Sequence, residues 1–154
     1  MIIDFHVHVL PPEDMAAFTG TQFHTQHQGS QQGRAPTTIE NALEAAKIGG
    51  VDITVISNPI HNLRDMDRKQ QLERCQRQNR FNAECQNKYH GSIVGMASTV
   101  PYGGDEFLRE FERAIKEDGL KGAWITSSLQ GKLSRRRRGD AVLPARAASS
   151  TCRW

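Results

Sequence analysis

Two histidines one residue apart, His6 and His8, stand in the opening stretch MIIDFHVHVLPPE. In an extended strand, residues i and i+2 point to the same side, so the two imidazoles share a face. At the end of a strand they can offer nitrogens to a single ion at about 2.0–2.1 Å each, and neutral imidazole suits zinc and other borderline first-row metals. By the same alternation Asp4 is expected on the His6–His8 face, one pleat deeper, with Ile3, Phe5 and Val7 opposite. Its carboxylate could orient a ligand through a hydrogen bond, or be an ordinary satisfied polar group. An H-x-H pattern alone is weak, because strand histidines are more often structural. Its place strengthens it: the first strand of an alternating series, directly before Pro11-Pro12.

The other candidate ligands offer less. His24 and His27 fall in residues 17–36 (AFTGTQFHTQHQGSQQGRAP), which lack an apolar period and read as a long loop after the first strand. A solvated role is the expectation for both. His61 follows the second strand, and His90 precedes the third at its N-terminal end. The three cysteines, Cys75, Cys85 and Cys152, are odd in number and spaced like no common zinc motif, so they read as isolated thiols in a reducing compartment.

Positioning the histidines requires a sheet, and four short apolar runs supply one. They are residues 2–9 (IIDFHVHV), 52–58 (DITVISN), 92–100 (SIVGMASTV) and 120–126 (LKGAWIT), each bounded by Gly, Pro or Asn. Between them lie helical stretches. Thr37 and Glu40 form a capping-box pattern ahead of Ile39, Leu43 and Ala46, with Gly49-Gly50 as a stop. A polar helix is expected within residues 64–89, ended by Gly91. Another over 105–118 places Phe107, Leu108, Phe111, Ala114 and Ile115 on one face and stops at Gly119. The order is β-α-β-α-β-α-β. Continuous apolar strands imply burial on both faces and a parallel sheet, either part of a (β/α)₈ barrel or a small doubly wound α/β fold. In a barrel, the loops after the strands build the active site. On that basis Asn58 and residues 126–128, at strand ends, are expected to face the pocket and donate hydrogen bonds.

Composition divides the chain of 154 residues in two. Residues 1–131 hold 13 basic and 16 acidic side chains, whereas 132–154 hold 7 basic and one acidic. The second segment has no periodicity and carries four consecutive arginines, Arg135, Arg136, Arg137 and Arg138. It reads as a disordered basic tail unrelated to the fold, of the composition that a GC-rich gene gives when read out of frame. If so, the neighbouring DNA in another frame encodes four more βα units. A basic n-region with an apolar h-region is missing, as is any apolar run near the ~20 residues of a membrane span. A cytoplasmic protein without a membrane partner is the expectation.

Taken together, these segments resemble a known family. IIDFHVHVLPPE resembles the D-x-H-x-H first strand of the metal-dependent amidohydrolase superfamily, and more closely its branch of aminocarboxymuconate-semialdehyde decarboxylase-like, amidohydrolase-related enzymes. RFNAECQNKYHGSIVGMASTVPYGGDEFLREFERAI is similar to that branch's helix, strand with a Val-Pro end, and Glu-rich helix. GLKGAWITSSLQG is similar to its following Gly-x-x-Gly strand and turn. The resemblance implies a distorted (β/α)₈ TIM barrel with one metal ion, usually zinc, at the C-terminal ends of the strands. His6 and His8 would be its first two ligands; a later His and an Asp near the last strand complete such sites. Metal-assisted decarboxylation or hydrolysis of a small carboxylic acid would be the parent chemistry.

The pattern is matched only in part. A full barrel needs about 250 residues, whereas four strands precede the tail, no histidine follows His90, and the one Asp after Gly131 is Asp140. The resemblance therefore covers an N-terminal portion of about four βα units, residues 1–131. It matches no catalytic acid-base, and the chain as it stands is expected to be inactive or weak. Half a barrel also leaves open sheet edges for self-association. An alternative of another class is a non-catalytic small α/β interaction protein whose arginine-rich tail binds nucleic acid or an acidic partner. Its only support is the arginine run, which has no interleaved aromatics to stack bases, so nucleic acid is not the expected partner.

Overall fold

The apolar runs form strands and the polar periodic stretches form helices. The computed structural model describes residues 1–18, 38–58, 66–100 and 103–125, with two further short strands at 128–129 and 132–133. In chain order the elements are β1 (Ile3–His8), α1 (Pro12–Phe18), α2 (Ile39–Gly49), β2 (Ile53–Ser57), α3 (Arg68–Lys88), β3 (Ile93–Gly95), β4 (Ala97–Ser98), α4 (Asp105–Lys116), β5 (Ala123–Trp124), β6 (Ser128–Leu129) and β7 (Lys132–Leu133). β1 and β3 flank β2, and β4 pairs with β5, all in parallel. β6 and β7 pair antiparallel, across position 131 where the composition changes. Residues 134–154, with Asp140 and the arginine run, lie outside the described residues, as do His24, His27 and His61.

β3 and β4 occupy the single run expected over residues 92–100. The break falls at Met96, whose N–H still donates to the Ile56 carbonyl at 3.0 Å, while the Ala97 N–H donates to the Gly122 carbonyl at 2.7 Å. Pairing thus passes from β2 on one side to β5 on the other. The Met96 carbonyl is taken by the side chain of Asn82 on α3, at 2.8 Å, and so is lost to the ladder. Gly95 permits this close approach: a Cβ there would lie 3.0 Å from the Asn82 carbonyl oxygen and closer still to Leu120.

α1 falls where no helical period is visible in the sequence. Pro12 opens it with a pre-set φ, and Glu13 and Asp14 sit in its first turn, where carboxylates suit the helix dipole. Asp14 is buried and accepts from Arg74 Nη1 at 3.0 Å and Arg77 Nη2 at 2.9 Å, fastening α1 to α3. The start of α2 corrects the expected capping box. Thr38, not Thr37, is the N-cap, and its hydroxyl accepts from the Asn41 N–H at 3.2 Å. Thr37 lies outside the described residues. Gly50 ends α2 at φ 66°, as its conformational freedom predicts. α3 lies within the expected 64–89 and begins at a capping box of Asp67 and Gln70.

Three apolar clusters hold these layers together. Val9, Ile39, Ala42, Ile56, Cys85 and Ile93 join β1, β2 and β3 to α2 and α3. Cys75, Val100 and Phe107 form the second, with Trp124 against it, and Ala83, Ala97, Phe111, Ala114 and Leu120 the third. The inner face of α3 is unusual in also burying Arg74, Gln78, Asn79 and Asn82. Burial on both faces holds for β2 but not for β1, where Asp4, Phe5 and His6 are exposed. β1 is an edge strand in this sheet, with no further described strand paired along its outer flank.

Candidate functional site

β1 carries one residue more than β2 over the same span: Asp4 registers with Thr54 and Val7 with Ile56, leaving Phe5 and His6 opposite Val55 alone. Such a bulge re-aims side chains and reverses the alternation beyond it. Ladder partners share a face, so Asp4 and Val7 fall on the side of Thr54 and Ile56, and His8 falls with Ser57 on the other. The expected grouping of Asp4 with both histidines is therefore corrected. The Asp4 carboxylate instead accepts from the backbone N–H of His6 at 3.0 Å, bracing the bulge.

His6 and His8 do come together, with ring centroids 4.7 Å apart and planes inclined at 64°. His8 is half-buried, and its Nδ1 lies 3.2 Å from the Ser57 carbonyl oxygen and 3.3 Å from the Ser57 hydroxyl. A carbonyl oxygen only accepts, so that contact is a hydrogen bond when the proton sits on Nδ1. Nε2 then carries the free lone pair. Burial holds the His8 pKa below its ordinary 6.5, the Ser57 carbonyl opposes this, and the neighbouring His6 adds to the lowering. A neutral imidazole is the form that ligates metals. Trp124 closes one side, edge-to-face with His8 at 6.1 Å between centroids.

Ser57 and Trp124 were not singled out by sequence. Their signal was positional: each is the last residue of its strand, as His8 is of β1. Asn58 behaves differently from expectation. It is 1 % exposed, and its amide is engaged inside the protein and does not face an open pocket. Residues 126 and 127 lie outside the described residues, and His90 is exposed in the turn after α3. Cys75 and Cys85 are free and buried; burial pushes their thiols up to about 12 and about 11, so neither is a ready thiolate. Among the described residues, no third His, Cys, Asp or Glu joins the pair in a cluster able to hold a metal. A cavity of about 410 Å³ is lined by Leu10, Met15, Ile39, Phe81, Cys85 and Tyr89 among others, and by neither histidine. No described helix is long and apolar enough to cross a membrane.

No protein-family model matches the sequence, and no curated protein matches it. Solved structures do match the fold. A structure described as an amidohydrolase from Staphylococcus aureus is 24% identical with a TM-score of 0.61, over 84% of this chain and 38% of that one. A dihydroxybenzoic acid decarboxylase from Polaromonas, solved with manganese and 2-nitroresorcinol, is 22% identical with a TM-score of 0.59, over 79% of this chain and 37% of its own. A 5-carboxyvanillate decarboxylase from Novosphingobium aromaticivorans, also with manganese, is 18% identical with a TM-score of 0.67, over 86% and 43%. The chain thus spans about two fifths of the length of these structures. At such identities the likeness is one of fold: a parallel α/β arrangement shared with part of amidohydrolase and decarboxylase structures.

Proposed function

We propose that this chain is the N-terminal portion, about four βα units, of a (β/α)₈ barrel of the amidohydrolase and decarboxylase kind, with His6 and His8 as half of a divalent-metal site. Residues 1–131 would form the barrel portion and 132–154 a basic tail unrelated to it. The observation that carries the proposal is the His6–His8 pair itself: two adjacent rings at the C-terminal end of β1, with His8 Nδ1 engaged by the Ser57 carbonyl. Metal-binding histidines characteristically donate the second ring N–H in this way, which fixes the ligating nitrogen. The lowered His8 pKa keeps that ring neutral and so favours the same role.

Two imidazoles suit zinc, and manganese is the ion in two of the solved structures of like fold. When bound, such an ion polarises a carbonyl or carboxylate oxygen or lowers the pKa of bound water, in decarboxylation or hydrolysis of a small carboxylic acid. His6 and His8 would hold it, Ser57 would orient His8, and Trp124 would wall the site from one side. The described residues add no acid-base partner there, so weak or no turnover is expected of the chain alone. The exposed Ile2 and Phe5 at the β1 edge, and Ile125 just beyond β5, are where self-association would occur.

The test is metal uptake by the full chain and by His6→Ala and His8→Ala, measured by elemental analysis after loading with zinc or manganese. About one ion per chain, lost in each variant, supports the proposal. Uptake that ignores both substitutions contradicts it.

A further inference from the structure

Behind the histidine pair runs a chain of buried side-chain amides that links four segments: the ends of β1 and β2, α3, and the break between β3 and β4. Asn58 Oδ1 accepts from the Val9 N–H at 3.2 Å, immediately after His8. Asn58 Nδ2 donates to Asn82 Oδ1 at 3.1 Å, and Asn82 Nδ2 donates to the Met96 carbonyl at 2.8 Å. Val9, Asn58 and Asn82 are all removed from solvent. The relay has one polarity. A backbone N–H can only donate and a carbonyl can only accept, so its two ends fix which way both amides face. Reversing either amide would set oxygen against oxygen or nitrogen against nitrogen.

This matters for the histidines because β1 is the sheet's edge and bulges between Asp4 and Val7. Regular pairing to β2 resumes at Val7 and His8, and the next backbone N–H, that of Val9, goes to Asn58 and not to a strand. We infer that Asn58, oriented by Asn82, is a positioning residue that holds the end of β1 so that His8 meets the Ser57 carbonyl and lies beside His6. The inference rests on the metal-binding reading above. Asn79 supplies a matched control. It is just as buried on α3, with Oδ1 accepting from the Ser98 N–H at 2.7 Å and Nδ2 donating to Glu110 at 2.8 Å, and its hydrogen bonds go to neither β1 nor Asn58.

The experiment compares zinc affinity of the full chain with that of Asn58→Ser, Asn58→Asp, Asn82→Ser and Asn79→Ser. It also follows the His8 Nδ1 proton by NMR without metal. Loss of a group that orients a ligand typically weakens metal binding about 10–100-fold, and that is the expected loss for Asn58→Ser. Asn58→Asp is expected to lose affinity too, because the carboxylate keeps the acceptor for Val9 but has no donor for Asn82. Asn82→Ser should show a smaller loss, and it decides the matter if the Asn58 variants do not fold. Asn79→Ser should lower Tm and leave zinc affinity and the His8 proton signal unchanged. Wild-type affinity in Asn58→Ser, or an equal loss in Asn79→Ser, overturns the inference. If the parent chain takes up no metal, the metal reading fails by itself and the proton signal decides: loss in Asn58→Ser with retention in Asn79→Ser supports positioning, and retention in both overturns it.

Discussion

β1 and β2 lie side by side in one parallel sheet, and both are apolar runs that end in polar residues ahead of a proline. They are put to opposite uses. β2 is buried from Thr54 to Ser57, with Ile56 at the centre of the first apolar cluster. β1 exposes Asp4, Phe5 and His6, bulges, and gives its last residue to the histidine pair. The central strand supplies stability, and the edge strand carries the proposed site. An edge strand has only one ladder to hold it, so side chains must do the rest. Here Asp52 accepts from the Ile2 N–H at 2.6 Å, Asp4 braces the bulge, and Asn58 secures Val9. Asp14 then pins the helix that follows.

The largest expected effect comes from removing that last anchor. Asp14→Ala leaves Arg74 buried without its partner, and breaking such a pair costs about 3–5 kcal/mol. Urea unfolding checks this, and a loss no larger than that of a surface substitution would mean that α1 does not depend on the pair. Ile56→Ala comes next at about 2–5 kcal/mol, as for other buried large-to-small changes. It should also expose Cys85, which shares that cluster, to alkylation before Cys75, which belongs to the second one. Simultaneous labelling of both thiols would show that the two clusters open as one.

A smaller effect is expected with pH. The fold lowers the His8 pKa below the unfolded 6.5, so its contribution to stability is fully present above 6.5 and is lost as pH falls through the lowered folded value. His8→Ala should therefore flatten part of the acid limb of a stability-against-pH curve; an unchanged curve would remove His8 as a cause. The smallest effect belongs to Phe5, 67% exposed on the β1 edge. Phe5→Lys should alter stability by no more than about 0.5 kcal/mol while reducing self-association in sedimentation, since charge blunts an open edge. A large loss of stability would place Phe5 in a covered interface.

The sheet's parallel order was readable because its strands are apolar runs punctuated by Gly, Pro and Asn, and α4 because Phe107, Phe111 and Ala114 recur at helical spacing. The nearness of His6 and His8 was readable from the i, i+2 rule. The position of Asp4 was not, because the bulge that turns it away depends on how β1 registers with β2, a non-local fact. α1 was missed because seven residues are too few to display a period, although Pro12 followed by two acidic residues is a recognisable start. Asn58 was legible as a polar residue at the end of β2 but not in its inward orientation, and Asn82 was hidden altogether. On a helix as polar as α3, sequence alone does not tell which amides face the core and which face water. Ser57 became visible only when register placed it opposite His8.

His6 and His8 are proposed to ligate one divalent ion together. X-ray absorption fine structure at the zinc edge of the loaded protein tests it most directly, because it counts and identifies the donors. Two imidazole nitrogens at about 2.0–2.1 Å are expected, with the remaining positions filled by oxygen. A shell with sulfur at about 2.3 Å, or one in which the imidazole signal survives His6→Ala and His8→Ala together, would contradict it.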